Sequence, residues 1–460
     1  MAEQKRETLG SRLGFLLLSA GCAIGIGNVW KFPYIVGQYG GGIFVLIYIF
    51  FLVVMGIPVM TMEFSMGRAS KKSPLLLYQE LEKPGQKWHW HGVMALIANY
   101  MLMMFYTVVS GWMLFYFKAM LTGELSGLSA GQVGDYFQNG MLGDPVGMYI
   151  CAAIIIVLGF LVCGFGVQNG LERVTKVMMI ALFVLMVAIA VYCCCLDGAA
   201  EGLKFYLLPD ISKMKEAGIG NVIVAAMTQA FFTLSLGIGS IAIFGSYIEK
   251  ERSLLGESVN VAFLDTFVAI TSGLIVFPAC FAYGGGETAS GPGLIFVTLP
   301  NIFNNMPLGR LWGTLFFVFL LFAAFSTVIA VFEVLIASCC EKFGWSRVKA
   351  CVINGIFMLV ACLPCVLGFN VFADFSPLGM NLMDWEDFFV SNIFLPLGSL
   401  LFVLFCTTKK GWSWENFEQE ANTGKGMKIK RWMRGYMTYV LPVLITVLFV
   451  IGLLQKFGVM

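Results

Sequence analysis

Apolar runs longer than a bilayer is thick recur along this chain, and they leave few folds open. About 20 consecutive apolar residues cross the hydrocarbon core as a helix. Lipid offers backbone groups no partners, so only helices or closed barrels can span it. Alternating strand patterns are absent, which leaves an all-α membrane protein. Of the 460 residues, 59% are hydrophobic and 12% charged, roughly half the charged share of an ordinary soluble domain. Eleven spans are expected, near 13–36, 42–67, 92–121, 147–164, 173–196, 220–247, 258–283, 312–340, 348–369, 388–407 and 436–455. The connections are too short for a second soluble domain, so 1–460 reads as a single transmembrane domain in contact with the lipid bilayer.

Basic residues concentrate on the cytoplasmic side of membrane proteins. With the N-terminus inside, the inner segments collect 22 of the 29 Lys and Arg, and the outer ones keep six. Lys31 falls inside the first span, and an odd span count sends the C-terminus outside. The formal net charge of +2 gives no reason to expect nucleic acid as a partner. Thirteen cysteines are present, several of them (Cys193, Cys194, Cys195, Cys339, Cys340) within apolar runs. Cys362-Leu-Pro-Cys365 has redox or metal spacing but no histidine nearby, and the small apolar packing role fits better. The polar first fifteen residues lack a small-residue cleavage site, so no signal peptide is expected.

Two spans carry a built-in weakness. The first contains Gly25-Ile26-Gly27-Asn28, and the sixth contains Gly237-Ile238-Gly239-Ser240. Each is Gly-Ile-Gly followed by a small polar residue, at matching places five spans apart. Glycine costs about 1 kcal/mol in a helix interior and permits backbone conformations that other residues resist. Paired weak points in corresponding halves point to a secondary transporter built from inverted repeats. Two five-helix repeats are expected, about 12–196 and 220–407, with an extra helix about 436–455. Unwinding frees N–H groups at one half-helix start, suited to a carboxylate, and carbonyls at the other half's end, suited to a small hard cation.

Over essentially its whole length the chain resembles the neurotransmitter:sodium symporter family, in the bacterial amino-acid branch with the leucine-transporter fold that includes the multi-hydrophobic amino-acid and tyrosine carriers. The resemblance is carried by Arg12-Leu-Gly, Gly25-Ile-Gly-Asn-Val-Trp-Lys-Phe-Pro33, Gly40-Gly-Gly42, Gly56-Ile-Pro-Val-Met-Thr-Met-Glu63 and Gln229-Ala-Phe-Phe-Thr-Leu-Ser-Leu-Gly-Ile-Gly239. It implies two Na+ sites beside one amino-acid pocket. The first would use Ala23, Asn28, Thr233 and Asp265 with the substrate carboxylate. The second would use Gly21, Ile24, Ala323, Ser326 and Thr327. The family often has Asn where Asp265 stands, with Asn260 a rival for the register. Ala269 falls where chloride-dependent members place a chloride-binding serine. Asp265 can neutralise the sodium itself, so chloride is not expected.

Monoamine carriers of the family have Asp where this chain has Gly25, which implies a substrate bearing its own carboxylate. Tyr106 would donate to that carboxylate. The amino group would meet carbonyls of Ala23, Phe232 and Ser235 and the Thr327 hydroxyl. Gly25 and Gly27 would bound the polar end, beside Thr233. Leu102, Val109, Phe232, Ile238 and Val331 would line the side-chain end. An uncharged lining rejects charged side chains, whose desolvation goes uncompensated, so hydrophobic or aromatic L-amino acids are expected. A related amine or osmolyte is the alternative cargo. The resemblance implies an outer gate of Lys31 and Asp387 above Phe232, and an inner gate involving Arg6, Tyr247 and Glu341. Glu63 would tie the second span to the sixth. Ile180 replaces a proline that relatives carry in the fifth span. A cytoplasmic membrane of bacterial type is the expected location; no enzyme arrangement is found.

Overall fold

Ser11 starts the first membrane helix. Its backbone is extended, with φ −155°, and its hydroxyl accepts the Gly14 N–H at 3.0 Å, which satisfies one of the donors that a helix start leaves unpaired. In this computed structural model, residues 7–283, 291–376 and 379–456 are described, with side chains described through 454. Helix α1a (Arg12–Ala23) and helix α1b (Gly27–Gln38) follow, bent by 56° at the break between them. Eight further apolar helices are α2 (Gly42–Ser70), α3 (His89–Thr122), α4 (Pro145–Gly164), α5 (Val167–Cys194), α7 (Leu254–Tyr283), α8 (Gly309–Phe343), α9 (Arg347–Leu367) and α10 (Leu382–Thr407), and α11 (Met433–Leu454) completes the series. Between α5 and α7 lie α6a (Ile219–Thr233) and α6b (Ser240–Gly245).

Among the described residues, nine helices are long and apolar enough to cross a membrane, or ten if the bent α1 pair is one span. The sequence reading of eleven differs at the sixth span, for a physical reason. Its break leaves helices of 15 and six residues, neither of which reaches the length that a bilayer requires. No β-strand occurs among the described residues; the nearest approach is two isolated bridges, Gly41 to Pro209 and Arg252 to Lys425.

The centre of the bundle is where α8 runs along α3, α5 and α1a, while α6b lies on α2 and α7 on α5. Close backbone approach makes the α2–α6b contact possible. A Cβ on Gly245 would lie 2.5 Å from the Phe64 carbonyl oxygen, and one on Gly67 would overlap the Ala242 carbonyl. The periphery inverts the pattern of a soluble protein. Ile150, Ile154, Val157 and Leu161 on α4, and Val177, Ile180, Val184 and Val191 on α5, are exposed at helical spacing. Such stripes suit hydrocarbon. Helix α5 is continuous through Ile180.

One buried ion pair joins the loop between α10 and α11 to the end of α2. Arg68 is fully buried, and its Nε lies 2.6 Å from Glu420 Oε1. Its guanidinium also donates to the carbonyls of Arg252, at 2.7 Å, and Glu420. Lys250 Nζ reaches the other Glu420 oxygen at 3.1 Å. Removing one partner of such a pair strands a buried charge, at a cost of about 3–5 kcal/mol, whereas removing both with apolar replacements is close to neutral. Glu420→Ala is therefore expected to lower the thermal unfolding midpoint in detergent far more than Arg68→Met/Glu420→Met does. Equal losses in the single and double variants would contradict this account.

Candidate functional site

The two breaks are unequal. In α1 only Ile24–Ile26 separate the halves, and Ile24 is extended with ψ 104°. In α6 six residues intervene, Leu234–Gly239. Gly237 and Gly239 there have φ of +92° and +74°, and Ser235 has φ +52°. Glycine takes such angles at little cost, whereas Ser235 does so against the usual steric preference. Glu63 of α2 accepts the Gly237 N–H at 2.6 Å, so this intramembrane acid pairs with a backbone group that the break sets free. The predicted tie between the second and sixth spans is present.

The breaks enclose a narrow cavity lined by Ala23, Gly25, Gly27, Leu102, Tyr106, Phe232, Ser235, Ile238, Thr327, Val390 and Leu395. Nine of these were anticipated from the sequence. Val390 and Leu395 of α10 were not, because no motif marks them and only the packing of α10 onto the α6 break brings them in. Of the other residues expected here, Val109 instead faces a second, upper cavity, one turn further along α3 from Tyr106. Val331 is fully buried in α8 without lining either cavity, and the Thr233 hydroxyl is turned to Asp265. At the polar end, Tyr106 accepts the Ile26 N–H through its hydroxyl at 3.0 Å. A Cβ on Gly25 would overlap that hydroxyl and lie 2.6 Å from Thr327 Oγ1.

Two groups of oxygen-bearing residues flank the cavity. In the first, Asn28 Nδ2 donates to Asp265 Oδ1 at 2.8 Å, and Thr233 Oγ1 lies 3.1–3.2 Å from both carboxylate oxygens. Asn28 Oδ1 accepts the Gly25 N–H at 3.1 Å. Asp265 is fully buried, whereas Asn260 is half-buried; Asp265 is the residue that meets Asn28. Tyr48 of α2 also donates to Asp265, at 3.3 Å, a contact that sequence reading missed because Tyr48 sits in an unremarkable apolar run. In the second group, the Thr327 hydroxyl is 3.2 Å from the carbonyl oxygens of both Gly21 and Ile24. Ser326 Oγ donates to Ala323 at 2.9 Å. Ser326 therefore bonds its own helix, while Thr327 bridges to the α1 break. Carbonyl, carboxylate and hydroxyl oxygens are the donors that a hard cation selects.

Phe232 lines both the inner cavity and the upper one, which has a volume of about 230 Å³ and includes Lys31, Asp384 and Asp387 in its wall. Lys31 Nζ lies 4.0 Å from the Phe232 ring centre and 3.5 Å from Asp387 Oδ2. At that separation the ring face and the carboxylate share one cation. On the opposite side, Tyr247 donates to Glu333 at 2.5 Å, and Glu333 pairs with Arg347. Glu341 accepts the Ser73 N–H at 2.8 Å and the Ser73 hydroxyl at 2.7 Å. Arg6, the remaining member of the expected inner gate, lies outside the described residues.

The sequence profile of the Sodium:neurotransmitter symporter family matches residues 6–134 and 140–458. An uncharacterized sodium-dependent transporter of Bacillus subtilis, YhdH, is 33% identical over 99% of this chain and 100% of its own length. An uncharacterized sodium-dependent transporter of Haemophilus influenzae is 31% identical over 98% and 99%. The crystal structure of MhsT in complex with L-phenylalanine superposes with a TM-score of 0.87 at 36% identity, covering 97% of this chain and 100% of that one. The chain is accordingly a sodium-dependent, multi-pass secondary transporter rather than an enzyme. The chain belongs to the Sodium:neurotransmitter symporter family.

The closeness of Gly25 to Tyr106 and Thr327 generates a test. Gly25→Ala would crowd the Tyr106 and Thr327 hydroxyls, and the shift that relieves this disturbs the contacts of Thr327 with the Gly21 and Ile24 carbonyls, at an overpacking cost of about 1–3 kcal/mol. The variant is expected to insert and fold but to lose most of the thermal stabilisation that sodium confers over choline. A sodium-induced rise equal to that of the unaltered protein would contradict the geometry.

Proposed function

We propose that this chain is a sodium-coupled symporter that takes up hydrophobic or aromatic L-amino acids by alternating access, without chloride. The observation that carries the reading is the contact of Asn28, Thr233 and Asp265 beside a cavity whose far wall is apolar. A carboxylate entering between the breaks meets Tyr106 and the freed N–H groups of α1, and its own oxygen completes a sodium shell with Ala23, Asn28, Thr233 and Asp265. A second sodium is held by Gly21, Ile24, Ala323, Ser326 and Thr327. Leu102, Phe232 and Ile238, with Leu395, receive the side chain and offer a charged one no partner. L-phenylalanine, the molecule bound by MhsT, is the natural first probe.

Neutrality argues for chloride independence. Asp265 brings a full negative charge to the first cation, and Ala269 is fully buried and has no group to bind an anion. Lys31 over Phe232 forms the outer lid, and Tyr247, Glu341 and Arg6 belong to the inner one. The membrane is a bacterial cytoplasmic one, with eleven spans in two five-helix inverted repeats plus α11, the N-terminus inside and the C-terminus outside. The concentration of Lys and Arg on one side supports that orientation.

Reconstitution into liposomes with a panel of labelled amino acids tests the reading. An inward sodium gradient is expected to drive accumulation of phenylalanine and leucine but not of lysine or glutamate. Replacing chloride by gluconate is expected to leave uptake within about twofold. Collapse in gluconate would refute chloride independence, and no sodium-driven uptake of any amino acid would refute the function. Asn28→Ala and Asp265→Ala are each expected to weaken sodium activation by about tenfold or more, since hydrogen bonds and contacts to charged groups are worth about 1.5–3 kcal/mol. Unchanged sodium half-saturation in either would remove that residue from the site.

A further inference from the structure

The non-helical stretch of α6 is stapled to α3 by side chains that the transport reading leaves unused. Asn99 of α3 is fully buried. Its Nδ2 donates to the Ile238 carbonyl at 2.8 Å and to the Ala95 carbonyl at 2.7 Å, while its Oδ1 accepts the Ser240 hydroxyl at 2.8 Å. Both amide protons and one acceptor lone pair are thereby used. Two turns earlier on the same helix, His91 Nε2 lies 3.2 Å from the Gly237 carbonyl, and its Nδ1 lies 2.5 Å from the Tyr78 hydroxyl. With the proton on Nε2, the ring donates to Gly237 and accepts from Tyr78. The carbonyls of two consecutive residues in the break, which no helical N–H satisfies, are thus taken by one helix.

The consequence for the cavity follows from which walls are joined. Ile238 supplies one wall. Leu102 and Tyr106, one and two turns beyond Asn99 on α3, supply the facing one. The whole cavity holds only about 20 Å³, near the minimum for one water, so an amino-acid side chain must part its walls, of which Ile238 and the α3 face are two. The Asn99 amide resists that movement directly, since separating Ile238 from α3 leaves a carbonyl and an N–H unpaired in an apolar surrounding. Gly237 and Gly239 on either side let the backbone pivot at little cost. The tie rather than the chain's stiffness therefore fixes the wall.

We infer that Asn99, supported by Ser240, is a specificity-determining positioning residue that sets the upper size of the transported side chain by holding Ile238 against α3. This rests on the amino-acid reading above. Without the tie, large aromatic side chains gain relative to small branched ones. Asn99→Ala is expected to raise the ratio of uptake efficiency for L-tryptophan over L-valine by about three- to tenfold, the factor equivalent to one net hydrogen bond. Sodium half-saturation is expected to stay within about twofold. Ser240→Ala, a milder change, is expected to shift the ratio in the same direction and serves if Asn99→Ala fails to insert. An unchanged ratio, or an equal loss for both substrates, would overturn the assignment. Hydrogen exchange of the purified protein separates this from failure of the amino-acid reading. If the unaltered protein accumulates neither substrate, the proposed function falls. The staple is still decided by peptides spanning 234–241, which are expected to exchange faster in Asn99→Ala; unaltered exchange there would overturn it.

Discussion

Backbone groups without helical partners, placed at membrane depth, are the constraint on which the rest of this structure depends. Hydrocarbon supplies no hydrogen bonds, so each N–H or carbonyl freed by the breaks in α1 and α6 must be satisfied by protein or by what the protein binds. The α6 break shows the accounting most fully. Glu63 takes the Gly237 N–H, while His91 and Asn99 meet the Gly237 and Ile238 carbonyls. At the α1 break the Thr327 hydroxyl serves Gly21 and Ile24. These polar side chains come from α2, α3 and α8, and the need to reach the breaks explains why those three helices carry buried polar residues in otherwise apolar sequence.

Sodium dependence follows from the same constraint. Groups that only partly satisfy one another form a site where a cation can replace several weak contacts by stronger ones. The Asp265 carboxyl group holds Asn28, Thr233 and Tyr48 around it, and in the proposed first sodium site an entering cation would meet that group directly. Coupling to an amino acid needs ion and substrate each to bind the two states with different affinity, and a ligand shared between them is the most direct way to link the two. The carboxylate of the proposed substrate is such a ligand. Whatever its structural origin, such coupling is reciprocal by thermodynamic necessity.

Much of this was legible in the sequence, for identifiable reasons. Hydropathic length defined the helices, and the repeated Gly-Ile-Gly located both breaks within about three residues. Asn28, Thr233 and Asp265 could be named because a resemblance, rather than spacing, joined residues more than two hundred positions apart, and the structure brings them into contact. What stayed hidden depended on packing. Val390 and Leu395 enter the cavity only because Gly398 lets α10 approach the Gly237 carbonyl. Tyr48 and Asn99 lie in runs whose helical face cannot be fixed from one sequence. Val109 lines the neighbouring cavity and Val331 is buried in α8, positions that depend on packing rather than on any motif. The sixth span failed a simple length count because its break is six residues rather than three.

Equilibrium binding of labelled sodium to the purified protein, titrated with L-phenylalanine, tests the coupling most directly. The account predicts that saturating amino acid tightens sodium binding severalfold, that sodium tightens amino-acid binding by the same factor, and that Asp265→Ala abolishes both effects. Sodium affinity that is indifferent to the amino acid would contradict a shared ligand and, with it, the proposed mechanism.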